Sequence, residues 1–144
     1  MKRLCVCLTV VLALTGSAAW ADDLTGAGRF LCASVQASRC LEGGECWSDA
    51  PWDLNIPAFI EIDLGAGRLS TTAASGENRS TPIARVTREN GVIVLQGFEM
   101  GRAFSFVITE KTGRAAVAVA SEGRATSIFG SCTPLPATAR SEGK

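Results

Sequence analysis

The fold is decided by residues 81–131, TPIARVTRENGVIVLQGFEMGRAFSFVITEKTGRAAVAVASEGRATSIFGS. Short apolar runs alternate here with turn signals, a pattern typical of antiparallel strands joined by tight turns. Asn90-Gly91 separates the first two runs, and Asn-Gly is the strongest short-range signal for a β-hairpin. The stretch therefore predicts five consecutive strands, at 81–88, 92–98, 102–109, 114–120 and 124–131.

Three further runs of the same kind come earlier in the chain, at 30–40, 57–64 and 68–73. Together the runs predict an all-β domain, an eight-stranded antiparallel meander. A meander of this kind favours a small up-and-down barrel, because closure removes the exposed strand edges. A two-sheet β-sandwich is the alternative. In a barrel of eight short strands, we expect side chains to fill most of the interior.

The dipeptide Gly-Arg recurs along the chain, at 28–29, 67–68, 101–102, 113–114 and 123–124. Glycine readily supplies the positive φ that ends a tight turn. We therefore expect each arginine to begin a strand at a solvated edge.

Two predicted strands are apolar on both faces, in the stretches 92–95 and 115–120. A barrel strand with a wet exterior normally alternates apolar and polar residues. Either the N-terminal segment or dense packing in a sandwich covers these strands, or they form an interface with a partner.

The first residues have the pattern of a secretory signal peptide: basic Met1-Lys2-Arg3, an apolar stretch at 4–14 and the cleavage pattern Ala19-Trp20-Ala21. The apolar stretch is much shorter than the roughly 20 residues that span a bilayer. The sequence thus predicts a signal peptide over 1–21, a single β-domain over 22–132 and a flexible tail over 133–144. We expect an exported product without a membrane span, periplasmic or extracellular if the source is bacterial.

Four cysteines remain after residues 1–21 are removed. An even number of cysteines in a small exported domain predicts two disulfides. If the meander closes, its first and last strands are neighbours, and a Cys32–Cys132 bridge would lock the closure. Cys40 and Cys46 would then staple one turn. The cysteine spacing does not suit a zinc site, and we expect neither a metal nor another cofactor.

The connection 41–56 contains the candidate binding residues, Trp47, Asp49, Trp52 and Asp53. Tryptophan is enriched at recognition hot spots, and binding residues concentrate in loops held by a rigid scaffold. In a meander, this connection and the other long connections gather at one end, here called the loop-rich end. The alternative is structural: Trp47 packs on the Cys40–Cys46 bridge and Trp52 plugs the barrel mouth.

Composition narrows the function further. The chain of 144 residues contains no histidine, which excludes a Ser-His-Asp triad and a Cys-His dyad. Its 14 basic and 14 acidic side chains give no sign of a nucleic-acid partner. We expect a non-catalytic module that binds a protein or an envelope component, with enzyme inhibitors as one member of that class. The alternatives are a carrier of a small ligand in the barrel and a structural subunit of the envelope that forms homo-oligomers.

Overall fold

The computed structural model of the protein describes residues 23–75 and 78–136. The predicted signal peptide and residues 137–144 of the predicted tail lie outside this part of the chain. Within it are two short 3₁₀ helices, Pro51–Leu54 and Ala73–Ser75, and neither is long and apolar enough to cross a membrane. The ten strands of the described residues are β1 (Arg29–Leu41), β2 (Cys46–Asp49), β3 (Phe59–Asp63), β4 (Arg68–Thr71), β5 (Ser80–Pro82), β6 (Arg85–Glu89), β7 (Val92–Glu99), β8 (Arg102–Thr109), β9 (Arg114–Ser121) and β10 (Arg124–Pro134).

These strands form one antiparallel sheet with the order β5-β4-β3-β1-β10-β9-β8-β7-β6, and β2 pairs with the second half of β1. From β6 to β10, each strand pairs with the next one in the sequence, as in a meander. The first and last strands are also neighbours, and the sheet curls into a half-barrel. The all-β antiparallel prediction is confirmed, and the single sheet agrees with the barrel rather than with the sandwich.

The predicted strand 81–88 is divided between the two edges of the sheet, since β5 pairs with β4 and β6 pairs with β7. Between them, the Ile83 N–H donates to the Gly67 carbonyl at 2.8 Å, and the Ala84 N–H donates to the Gln96 carbonyl at 2.9 Å. The consecutive residues Ile83 and Ala84 thus bond to opposite edges of the sheet. The half-barrel is interrupted between these two edges, at a break here called the seam. The sequence also missed β2, whose four residues are all exposed.

The junction of β1 and β10 holds the barrel wall together. Cys32 lies opposite Cys132 in the register and forms a disulfide with it, and Cys40 forms a disulfide with Cys46 across β1 and β2. Both predicted pairings are confirmed. β10 continues to Pro134, so the first two residues of the predicted tail pair with β1 instead.

A β-bulge at Val35 changes which side chains of β1 face inward. Even-numbered residues face the core before the bulge and odd-numbered residues after it, so that Arg39 faces the inside of the half-barrel. Gly130 of β10 packs against the bulge, where a Cβ atom would lie 2.1 Å from the Ala33 carbonyl oxygen. Only glycine allows this close approach of the two strands.

The described N-terminal residues close the end of the half-barrel that contains the tight turns. Leu24 is fully buried in the main core, and its N–H donates to the Glu110 carbonyl at 2.8 Å. The Arg88 guanidinium donates to the carbonyl oxygens of Leu24 and Ala27 at 2.7 and 2.9 Å and forms an ion pair with the Glu110 carboxylate. An apolar plug with satisfied polar groups therefore fills this end.

An ion pair fastens the beginning of that plug. The Lys111 ammonium lies 2.9 Å from the Asp23 carboxylate. Hydrogen bonds from Thr25 and from Lys111 lower the pKa of Asp23 from its usual 3.8 to about 2. The carboxylate therefore stays ionised in the folded protein at a more acidic pH than in the unfolded chain.

Candidate ligand-binding cavity

A cavity of about 150 Å³ opens between the inner faces of β1, β3, β4 and β7–β10. It lies at the loop-rich end, opposite the end that Leu24 closes. The expectation of a filled interior is wrong at this end, because small and β-branched side chains of β9 and β10 leave space that no described residue fills. The inner wall of the cavity is apolar and is formed by Ile60, Leu69, Phe104, Phe106, Val117, Val119 and Ile128.

Strand β8 shows how the sequence builds this wall. Successive side chains of a strand alternate between the two faces of the sheet, so Arg102, Phe104 and Phe106 share the inner face. Arg102 begins the strand at the mouth, and Phe106 lies deepest and is buried. The two phenyl rings meet edge to face, with their centroids 5.9 Å apart. The Phe104 ring covers Gly97, where a Cβ atom would lie 2.3 Å from the ring.

Among the residues that the structure describes, the mouth of the cavity carries more positive than negative charge, since it is lined by Arg39, Arg79, Arg102, Arg124 and Glu99. The Glu99 carboxylate accepts a hydrogen bond from the Thr81 hydroxyl at 2.6 Å and lies 3.8 Å from the Arg102 guanidinium. Glu99 is therefore held on the β7–β8 side of the mouth, where it offsets the charge of Arg102.

On the opposite side, Arg39 and Arg124 come from the paired strands β1 and β10. Arg39 donates to the Leu54 carbonyl at 2.8 Å and to the Thr126 hydroxyl at 3.3 Å, so neutral groups hold its guanidinium. Arg124 is exposed at the rim. Among residues 23–75 and 78–136, no carboxylate lies within 4.0 Å of either guanidinium. The excess positive charge is therefore concentrated on the β1–β10 side.

The surroundings of Arg39 disfavour its charge. Burial lowers the pKa of Arg39, and the nearby positive charge of Arg124 lowers it further. An arginine nevertheless remains protonated at any ordinary pH. The folded protein therefore keeps two cations close together at the edge of an apolar cavity, an arrangement that an anion would stabilise.

The structure places the four predicted binding residues beside the cavity mouth but not in the cavity wall. Trp47 and Asp49 lie in β2, and Trp47 pairs with Arg39 in the register, so both are on the same face of the sheet. Trp52 and Asp53 lie in the first 3₁₀ helix, where the Trp52 side chain is 67% exposed. Trp52 therefore does not plug the mouth.

The same connection reaches the cavity a few residues later. Leu54 is buried against Ala37 and Ile128 and anchors the 3₁₀ helix to the sheet. The next three residues, Asn55, Ile56 and Pro57, line the cavity. The residues of this connection that face the cavity are therefore neighbours of the predicted binding residues, not those residues themselves.

Sequence reasoning missed the arginines of the mouth. It placed Arg102 and Arg124 at solvated strand edges, as the second residues of Gly-Arg turns. A signal was present, because Arg102 is in phase with Phe104 along its strand and Arg124 is in phase with Ile128. An arginine two or four residues from inward apolar positions shares their face.

A second surface lies on the outer face of β8–β10. Val107 is 45% exposed, Phe129 is 53% exposed, and Ala116 and Ala118 between them are also exposed. The expectation that the N-terminal segment covers such strands is wrong for residues 23–28, which lie at the tight-turn end. A shallow apolar groove thus remains open on the outside of the sheet.

A comparison with models of known protein families and with curated proteins gave no match for this chain. Within the described residues, no three His, Cys, Asp or Glu side chains are grouped so that they could hold a metal ion. The cavity and the exposed surfaces are the features of the described residues that bear on function.

Proposed function

We propose that the protein is an exported, non-catalytic binding protein that takes a small, partly apolar ligand into its half-barrel cavity. The observation that carries the proposal is the cavity itself, with its apolar wall and one open end. A dry apolar cavity of about 150 Å³ accommodates a benzene-sized group. A ring or a chain of about six carbon atoms therefore fits inside, and the rest of the ligand can extend through the mouth.

Two further observations support export. The two disulfides are consistent with an oxidising compartment, and residues 1–21 have the pattern of a signal peptide. For a bacterial source, the protein would act in the periplasm or the medium. The lack of histidine removes the commonest general base and supports a role without catalysis.

The proposal is tested by titrating the protein with 1-octanol while amide NMR shifts are recorded. The protein is expressed with residues 1–144, so that it can be exported, and is used with both disulfides formed. We expect saturable shifts at residues of β8–β10 that line the cavity. Val119→Phe fills the cavity with a phenyl ring and should remove them. Val107→Phe makes the same change on the outer face of the sheet and should leave them in place. Equal binding by both variants would contradict the proposal, and so would the absence of a saturable shift with every ligand that carries an octyl chain.

A second candidate is the protein-binding module expected from the sequence. It is favoured by the exposure of Trp47 and Trp52, at 40% and 67%, on a segment anchored by a disulfide and by Leu54. The test is capture from an envelope extract of the producing cells. A stoichiometric protein partner should be lost with the double variant Trp47→Ala/Trp52→Ala and kept with Phe98→Ala, which removes an equally exposed ring elsewhere. A partner that both variants retain would exclude this site.

The open outer face of β8–β10 favours self-association as another form of the same candidate. Sedimentation at increasing protein concentration should show a larger species, and Phe129→Glu should abolish it. A monomer at all concentrations would remove homo-oligomers from consideration.

A further inference from the structure

We infer that the ligand is an anionic amphiphile whose carboxylate or phosphate group binds between Arg39 and Arg124, while its apolar part enters the cavity. This inference rests on the proposed function, because it assigns a chemical class to the ligand of the same cavity. The observation that supports it is the placement of charged side chains around the mouth of the cavity.

The two arginines are placed for joint recognition. In the β1–β10 register, Arg39 lies opposite Thr126, and Arg124 lies two residues away on the same face of β10. Side chains diagonally opposed on neighbouring antiparallel strands are within reach of one another when they are long. One small anionic group can therefore accept hydrogen bonds from both guanidinium groups.

Both arginines retain donors for such a group. A guanidinium has five N–H donors, and Arg39 uses its Nε and Nη2 atoms on Thr126 and Leu54. Its Nη1 atom makes no hydrogen bond within the described residues, and there Arg124 makes none with its side chain. The contacts of Arg39 fix its guanidinium in advance, which reduces the ordering that binding requires.

The distribution of charge sets the orientation of the ligand. On the β7–β8 side, Glu99 offsets Arg102 and is itself held by Thr81. The β1–β10 side has no such carboxylate among the described residues. An anionic head group is therefore attracted toward β1 and β10 and repelled from Glu99, and the apolar wall below is left for the tail.

The experiment compares ligands of equal length that differ in charge: octanoate, octyl phosphate and 1-octanol, each titrated into the oxidised full-length product by calorimetry. Acetate and inorganic phosphate test whether the head group alone binds. A hydrogen bond to a charged group makes a difference of roughly 10- to 100-fold in affinity. We expect octanoate, octyl phosphate or both to bind at least about tenfold more tightly than 1-octanol, with affinity that falls as salt is added.

The matched variants are Arg124→Gln and Arg114→Gln. Both remove an exposed arginine that follows a turn glycine, but Arg114 lies at the tight-turn end and on the outer face. Arg124→Gln should lower the affinity for the anion toward that for 1-octanol, and Arg114→Gln should leave it unchanged. Arg39→Gln should act like Arg124→Gln, with a separate loss of stability because it also releases the Leu54 carbonyl.

The outcomes separate the two proposals. If 1-octanol binds as tightly as the anions, or if Arg124→Gln changes nothing, the anion inference is overturned and the cavity proposal stands. If neither the alcohol nor the anions bind, both fail. If acetate or phosphate binds as tightly as the octyl compounds, the site recognises a free anion, and the amphiphile is overturned.

Discussion

Replacing both cysteines of the Cys32–Cys132 bridge by alanine removes the covalent link between the first and last strands. The bridge joins residues 100 apart in the sequence, whereas Cys40–Cys46 joins residues only 6 apart. In the chain-entropy description, the long loop contributes about 4.7 kcal/mol to the free energy of unfolding and the short loop about 2.2 kcal/mol. The two double variants should therefore differ in stability by about 2.5 kcal/mol.

Burial acts in the same direction. Cys32 and Cys132 are 6% and 1% exposed, so that their replacement also removes sulfur atoms from the core, whereas Cys46 is exposed. A small domain has only about 5–15 kcal/mol of stability in total. The loss of the long bridge should therefore bring the protein close to unfolding, and the loss of the short bridge should not.

The assay is urea unfolding of the two double variants and of the unmodified protein, followed by tryptophan fluorescence. With a slope of about 2 kcal/mol per molar urea, the expected difference between the variants corresponds to about 1.2 M in midpoint. Equal midpoints, or a larger loss in the Cys40→Ala/Cys46→Ala variant, would refute the reasoning. Such a result would mean that the unfolded chain already keeps the two ends of the meander together.

Three further predictions concern substitutions of single residues. Gly97→Ala should push the Phe104 ring into the cavity, lowering stability by about 1–3 kcal/mol and weakening octanoate binding in calorimetry. Leu24→Ala should cost about 2–5 kcal/mol in urea unfolding and leave octanoate binding unchanged, because the plug is at the other end. The lowered pKa of Asp23 means that its stabilisation is complete above about pH 4 and is lost as the pH falls toward 2. Asp23→Asn should remove this acid-dependent change in unfolding midpoint, and Lys111→Met should reduce it, because the hydrogen bonds from Thr25 remain. A change that persists in Asp23→Asn would locate its origin elsewhere.

The sequence predicted the parts of the fold that local rules govern. Turn glycines divide residues 92–131 into strands whose observed bounds differ by at most three residues from the expected ones. The disulfide pairing followed from counting the ends of a meander, because each strand reverses the direction of the chain. These inferences needed only the neighbouring residues and the topology.

The seam between β5 and β6 could not be predicted in this way. The residues of the stretch 81–88 continue one extended pattern. No local sequence feature indicates that the Ile83 N–H bonds to the β4 side and the Ala84 N–H to β7. That choice depends on how far the sheet has curled when its two edges meet. The four-residue strand β2 was missed for a similar reason, since it is exposed throughout and exists because a disulfide holds it against β1.

The Gly-Arg repeat gives the strongest argument that the mouth of the cavity is a binding site. Three of its arginines begin strands at the tight-turn end, and in each case the next residue is the buried one, so the arginine faces outward; they are Arg29, Arg68 and Arg114. The two that begin strands at the loop-rich end, Arg102 and Arg124, line the cavity. The turn itself does not decide on which face of the sheet the residue after its glycine lies. Outward placement would keep the positive charges away from an apolar wall. Within the repeat, arginine therefore departs from the polar-outside pattern at the open end, where Arg39 from a third strand also lines the cavity. Departures of this kind are expected at functional sites.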